Sequence, residues 1–242
     1  MSRRHRASRT WASRRQARHR QAARRRRAGS SSRNTCIRGS YVAANVAAGL
    51  AWKDYSFASQ TISELSAIDA PSRQVWLSFG AIYNVFLLAF AIGVWPAAGH
   101  RQGLRATAVA LVAICALSAV WPPMHMRGQV QTLADTLHVV FAALVSVVIF
   151  VAIATSIRSL GRAFRDYSIA TIGALLVVGG LTFALAPGVG TNAPTPWLGV
   201  VERINLGLYL LWVVVLSLRL LHEGQDGRHH GSELRYRPSY GA

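Results

Sequence analysis

Two histidines and an aspartate lie within a short stretch of the sequence: His125, Asp135 and His138. Two imidazoles and a carboxylate suit Zn²⁺ and leave a fourth position for water. Zinc would lower the pKa of that water to about 7 and make it a nucleophile. Ser63 would then polarise a carbonyl or phosphoryl oxygen, with Glu64 beside it as the second catalytic candidate. This is the chemistry of a metal-dependent hydrolase acting on lipid esters or amides. The set has no HExxH signature, and a loop separates His125 from Asp135. A second polar group, Glu202, Arg203 and Asn205, stands early in the last apolar segment. Ionisable residues at such depth are costly in lipid and usually face the bundle interior.

Each of these residues also has an architectural reading. Thr61 and Glu64 have the spacing of a capping box, with Ile62, Leu65 and Ile68 on one face of a short helix lying on the membrane. Asp135 suits the first turn of a helix, where the dipole favours a carboxylate. Its i,i+3 spacing to His138 puts both on one face and predicts a hydrogen bond between them. Glu202 and Arg203 would neutralise partners on another segment.

The elements that must hold these groups are apolar. The chain has 242 residues, 52% of them hydrophobic and 15% charged. A soluble domain carries about 25% charged residues, so an ordinary soluble enzyme is excluded. Five long apolar runs cover approximately Val75–Trp95, Leu104–Trp121, Leu133–Ile157, Tyr167–Ala186 and Trp197–Leu221. Each approaches the ~20 residues that cross a bilayer as a helix. Prolines fall between the apolar cores, Pro96 among them, and tryptophans mark span ends, where an amphipathic ring prefers the interface. A first span, Tyr41–Trp52, is short. Gly173, Gly179, Gly180 and Ala184 are small residues that allow close helix packing. The fold class expected is an all-α bundle of six transmembrane helices over residues 39–222, the first one atypical.

Charge fixes the expected topology. Fourteen of the 27 basic residues are arginines within positions 1–38, which hold no acid. That stretch reads as a disordered tail able to touch anionic lipid, with no specific nucleic-acid partner. Six spans put the tail on one side with Arg101, Arg158, Arg162, Arg165 and the polar 223–242 tail. The other side then holds only Lys53, Arg73 and Arg127. The positive-inside rule places both termini in the cytoplasm of a cell (inner or plasma) membrane protein, with the polar cluster outside.

The stretch from Tyr55-Ser56-Phe57 through Ile62-Ser63-Glu64-Leu65-Ser66-Ala67 comes first. The loop ending in His125, then Asp135 and His138, and Glu202-Arg203-Ile204 complete the set. Together they resemble the bacterial membrane family called domain of unknown function 998. The resemblance covers about residues 41–221, and Ile-Ser-Glu-Leu is its most recognisable part. It implies a small integral membrane protein, typically with six spans, and implies no activity. Members carry a full first helix. Here only Tyr41–Trp52 is similar to it, and arginine-rich sequence stands where the first half would be, as a frameshift or misassigned start would produce. The pattern of histidines and an aspartate is also similar to zinc-holding membrane hydrolases such as alkaline ceramidases, which use three histidines where this side offers His125 and His138.

Three functions follow as expectations. One is a non-enzymatic membrane protein whose polar cluster organises the bundle or binds a small polar ligand or lipid headgroup. Another is the zinc hydrolase, and the third a small transporter. Mid-membrane positions are mainly apolar apart from Asn84 and small hydroxyls, and the halves show no repeat, which makes transport the least supported.

Overall fold

The computed structural model describes residues 41–234, with side chains to residue 224. The arginine-rich stretch 1–38 and the last part of the 223–242 tail lie outside the described residues. Among the described residues there is no strand. Helix α1 is Tyr41–Leu50, α2 is Arg73–Ala98, α3 is Gln102–Ala119, α4 is Leu133–Ser156, α5 is Arg162–Leu185 and α6 is Leu198–Leu234. One further turn, Pro187–Gly190, prolongs α5. Helices α2 to α6 are long and apolar enough to cross a membrane. The protein is therefore an all-α polytopic bundle, as the apolar runs predict.

Helix α1 has ten residues. At 1.5 Å per residue it covers about 15 Å, half of a ~30 Å hydrocarbon layer. Its inward face is made of Ala44, Asn45, Ala48 and Gly49, small side chains that let it lie close. A Cβ on Gly49 would collide with the ring of Phe57. Tyr41 meets Trp76 and Tyr83 of α2 edge-on, with ring centroids 6.0 and 6.2 Å apart.

Pro96, expected between spans, lies in the last turn of α2. A proline there removes one intrahelical bond, which is tolerable because the helix ends two residues later. Gly99 then turns the chain at φ +55, with its N–H on the Pro96 carbonyl.

The core is apolar and joins α2 to α6. Leu104 and Leu111 of α3, Ile153 of α4 and Phe164 of α5 are fully or almost fully buried with Trp212 and Leu216 of α6. Where α3 crosses α4, Gly103 leaves room for the Thr155 carbonyl. The Thr107 and Thr155 hydroxyls meet there at 3.0 Å. Small and hydroxylated residues at a crossing let membrane helices approach closely without leaving polar groups unpaired.

Two kinds of connection alternate. Short loops, at 99–101 and 157–161, join α2 to α3 and α4 to α5. Arg101 ties that end together through the Ser159 carbonyl, at 3.2 Å, and Glu223. Long loops, 51–72, 120–132 and 186–197, share the opposite end. That long-loop end carries most of the polar residues singled out from the sequence.

Candidate functional site

The first long loop is anchored by its own capping chemistry. The Glu64 N–H donates to Thr61 Oγ1 at 3.1 Å, and Glu64 Oε2 accepts from the Thr61 N–H at 2.7 Å. This is the reciprocal pattern that the Thr61/Glu64 spacing predicts. The helix it opens is a single 3-10 turn, Ser63–Ser66. It does not lie on the membrane: Ile62 and Leu65 are buried within the protein. A turn this short cannot offer a continuous apolar face to lipid, so its apolar side chains go inward instead.

Glu64 has a second role, which the sequence reading misses. Its side chain is fully buried and takes a fork from Arg127, Nε to Oε1 and Nη2 to Oε2, both at 3.1 Å. The remaining Arg127 contacts are carbonyls. Nη2 donates to Ser59 at 3.2 Å and Nη1 to Ala193 at 3.1 Å. One guanidinium thus joins all three long loops. In the sequence Arg127 stands out only as one of few basic residues on its side. Its partner is 63 positions away, and no local spacing announces it.

Arg203 plays the matching part from α6. Its Nη1 donates to the carbonyls of Phe57, Gln60 and Gly199 at 2.8–3.1 Å, and Nη2 to the Tyr55 hydroxyl at 2.6 Å. Tyr55 passes its own hydrogen to the Thr61 carbonyl at 2.7 Å. Burial pushes the Tyr55 phenol up to about 12, against the opposing pull of the Arg203 cation. Gly199 is required here. A Cβ would stand 2.6 Å from the Phe57 carbonyl and 2.9 Å from Arg203 Nη1. Glu202, next to Arg203, accepts the Ile62 N–H and, at 3.3 Å, the Ser63 hydroxyl. Asn205 is not part of this group. It packs against Gly179 on α5, and its Oδ1 has no partner among the described residues.

The second candidate set divides. Asp135 Oδ1 accepts the His125 N–H at 2.7 Å, and Oδ2 accepts His125 Nδ1 at 2.8 Å. Oδ2 also takes the Thr132 N–H and hydroxyl, closing a capping box at the start of α4. The expected Asp135–His138 hydrogen bond is absent. His138 Nδ1 lies 2.8 Å from the Pro122 carbonyl. Two acceptors would repel at that distance, so Nδ1 carries the hydrogen and donates it. Trp121 Nε1 also stands 3.0 Å from Nδ1, but an Nδ1 that donates to Pro122 cannot accept the indole N–H, so the shorter carbonyl contact governs the tautomer and the Trp121 ring packs edge-on against the imidazole at 5.3 Å. The first-turn carboxylate swings back over its own helix N-terminus, where unpaired N–H groups compete for it, and away from the next turn.

This arrangement bears on zinc. The Asp135 carboxylate is already filled by protein donors, and Nδ1 of each histidine is committed, which leaves Nε2 of each as the ring nitrogen a metal would take. Among the described residues no three His, Cys, Asp or Glu side chains cluster so as to hold a metal ion. Ser63, the candidate substrate polariser, is bound to Glu202 and hydrogen-bonds to neither histidine.

Between the first and third loops lies a cleft of about 440 Å³. Asp54, Ser56, Ser59 and Gln60 form one wall, and residues 192–196 the other, with Arg127 between. Asp54 and Asn192 both adopt the left-handed region, at φ +66 and +55, which Asp and Asn tolerate best among side-chain-bearing residues. Gln131, Asn192 and Gly128 crowd the loop tips, where a Cβ on Gly128 would lie 3.3 Å from the Asn192 amide.

No curated protein and no solved structure matches this chain. The family model described as "Protein of unknown function (DUF998)" matches residues 38–219. That span takes in α1, all three long loops and most of α6, and so every residue of the site just described; the chain belongs to the DUF998 family.

Proposed function

We propose that the protein is a binding module set in the cell membrane, holding a small polar molecule or lipid headgroup at its long-loop end. The observation that carries this reading is the cleft framed by Arg127. Its volume falls within the range of ~300–1,000 Å³ usual for small-molecule sites. Polar residues stand in its lining beside the apolar surface of Ala193, Pro194 and Pro196, and its walls are locked by one buried ion pair and a set of side chain-to-carbonyl bonds. Such locking preorganises a site, so that little ordering remains to be done on binding.

The distribution of charge supports an orientation. Arg101, Arg158, Arg162 and Arg165 gather at the short-loop end, against Lys53, Arg73 and Arg127 at the other. By the positive-inside rule the long-loop end faces outside and the C-terminal end of α6 faces the cytoplasm. Trp197, two-thirds exposed beside the third loop, suits the bilayer interface, where a lipid headgroup would be within reach.

The test is native mass spectrometry of the detergent-purified full chain beside Ala193→Trp. Ala193 lines the cleft, and its backbone carbonyl keeps its contact to Arg127 whatever the side chain. The parent is expected to carry a bound lipid or small polar molecule that the variant loses, with the variant's melting temperature close to the parent's. Equal retention by both would refute the reading.

A further inference from the structure

Within the cleft the polar groups are unevenly spent. Arg127 commits its Nε–H, both Nη2 hydrogens and one Nη1 hydrogen, leaving a second Nη1 hydrogen free. Gln60 uses its Oε1 on the Ser56 N–H at 2.7 Å, so its amide hydrogens are unspent. The Asn192 amide and the Ser59 hydroxyl make no hydrogen bond among the described residues. The lining therefore offers a surplus of donors on Arg127, Gln60, Asn192 and Ser59.

Against that stands one carboxylate. Asp54 lines the same cleft and forms neither ion pair nor side-chain hydrogen bond among the described residues. Lys53 precedes it in sequence but is not part of the lining. The Arg127 charge is already balanced by Glu64. The cleft thus combines neutral or nearly neutral donors with one unpaired negative charge. A purely anionic ligand would meet Asp54 as a like charge, and a purely cationic one would leave the donors unused. A group with a phosphodiester and an ammonium uses both.

We infer that the cleft selects a phosphoethanolamine-type group, its phosphate facing Arg127, Gln60, Ser59 and Asn192 and its ammonium facing Asp54. This rests on the binding reading above and names its ligand class. The bilayer is the nearer source, as phosphatidylethanolamine, and a soluble glycerophosphoethanolamine would present the same chemistry. Acceptor-rich phosphate oxygens take charge-assisted hydrogen bonds from guanidinium and amide N–H groups. An ammonium offers three donors to a carboxylate.

The test measures phosphatidylethanolamine and phosphatidylglycerol retained by the full-length protein, in native mass spectrometry after exchange into each lipid. The parent should prefer phosphatidylethanolamine. Asp54→Asn, which suits the same left-handed backbone, should shrink that preference roughly threefold to fivefold, as expected for loss of a partly exposed ion pair. Asn192→Asp puts a negative charge among the phosphate donors and should weaken retention of both lipids. Soluble glycerophosphoethanolamine should displace the lipid if the headgroup alone is recognised, and failure to displace would place recognition in the acyl chains and overturn the inference. An unchanged lipid ratio in Asp54→Asn would also overturn it, while leaving the binding reading standing. No retention of either lipid by the parent would remove the binding reading for lipids and this inference with it.

Discussion

Removing Arg127 is the sharpest perturbation of the long-loop end. In Arg127→Met the aliphatic length is kept, so packing changes little. The Glu64 carboxylate, fully buried, is left with only the Thr61 N–H and hydroxyl. Stranding one member of a buried ion pair costs about 3–5 kcal/mol. The lower half of that range applies, because the Thr61 donors remain and the Arg127 side chain is 18% exposed. The Ala193 carbonyl also loses its donor, at about 1 kcal/mol. Ser59 is spared, since the Thr195 hydroxyl still reaches its carbonyl at 2.9 Å. Arg127→Met should therefore lower the unfolding free energy by about 4–5 kcal/mol. The assay is reversible unfolding in mixed micelles with increasing denaturing detergent. Adding Glu64→Gln to Arg127→Met should restore about 2 kcal/mol, because the stranded charge is gone while the Thr61 contacts persist. A loss below about 1 kcal/mol for Arg127→Met, or no recovery in the double variant, would refute the claim that this pair locks the three loops.

Further outcomes follow from single contacts. Asp135→Ala should speed hydrogen exchange at the His125 and Thr132 amides, which donate to that carboxylate, whereas His138→Ala should leave both unchanged. Equal effects of the two variants would restore a direct Asp135–His138 bond. Gly199→Ala should cost about 1–3 kcal/mol through its clash with the Gln60 and Phe57 carbonyls, read as a lowered unfolding midpoint. The folded-state phenol of Tyr55 titrates near 12, above the ordinary value. The unfolded chain then releases its proton first, so stability should fall as pH rises from about 10 towards 12, and less steeply in Tyr55→Phe.

The parts of this architecture that were legible in the sequence are those governed by local rules. Apolar length marks α2 to α5 within about five residues of their bounds and the start of α6 within one, because covering a bilayer leaves few alternatives to a helix, whereas α6 continues past the expected Leu221 to Leu234. The Thr61/Glu64 spacing announced its reciprocal bonds for the same reason: both partners lie within one turn. The His125–Asp135 pair was half legible. The grouping of His125 with Asp135 is legible from the sequence, and the Thr132-x-x-Asp135 spacing also carries the capping box that ties the carboxylate to its own helix. Arg127 was illegible as a hub. Its contacts join three loops distant in sequence, and carbonyl acceptors carry no residue identity that a pattern could register. The cleft was illegible likewise, because it exists only once the first and third loops are side by side.

The measurement that bears most directly on the binding reading is a structure of the full-length protein in nanodiscs of phosphatidylethanolamine and phosphatidylglycerol, held by a rigid antibody fragment. The account predicts density in the cleft between Arg127 and Asp54, shaped as a headgroup, with the Glu64–Arg127 fork intact behind it. A cleft filled only by water, with ordered lipid seated elsewhere on the bundle, would contradict it.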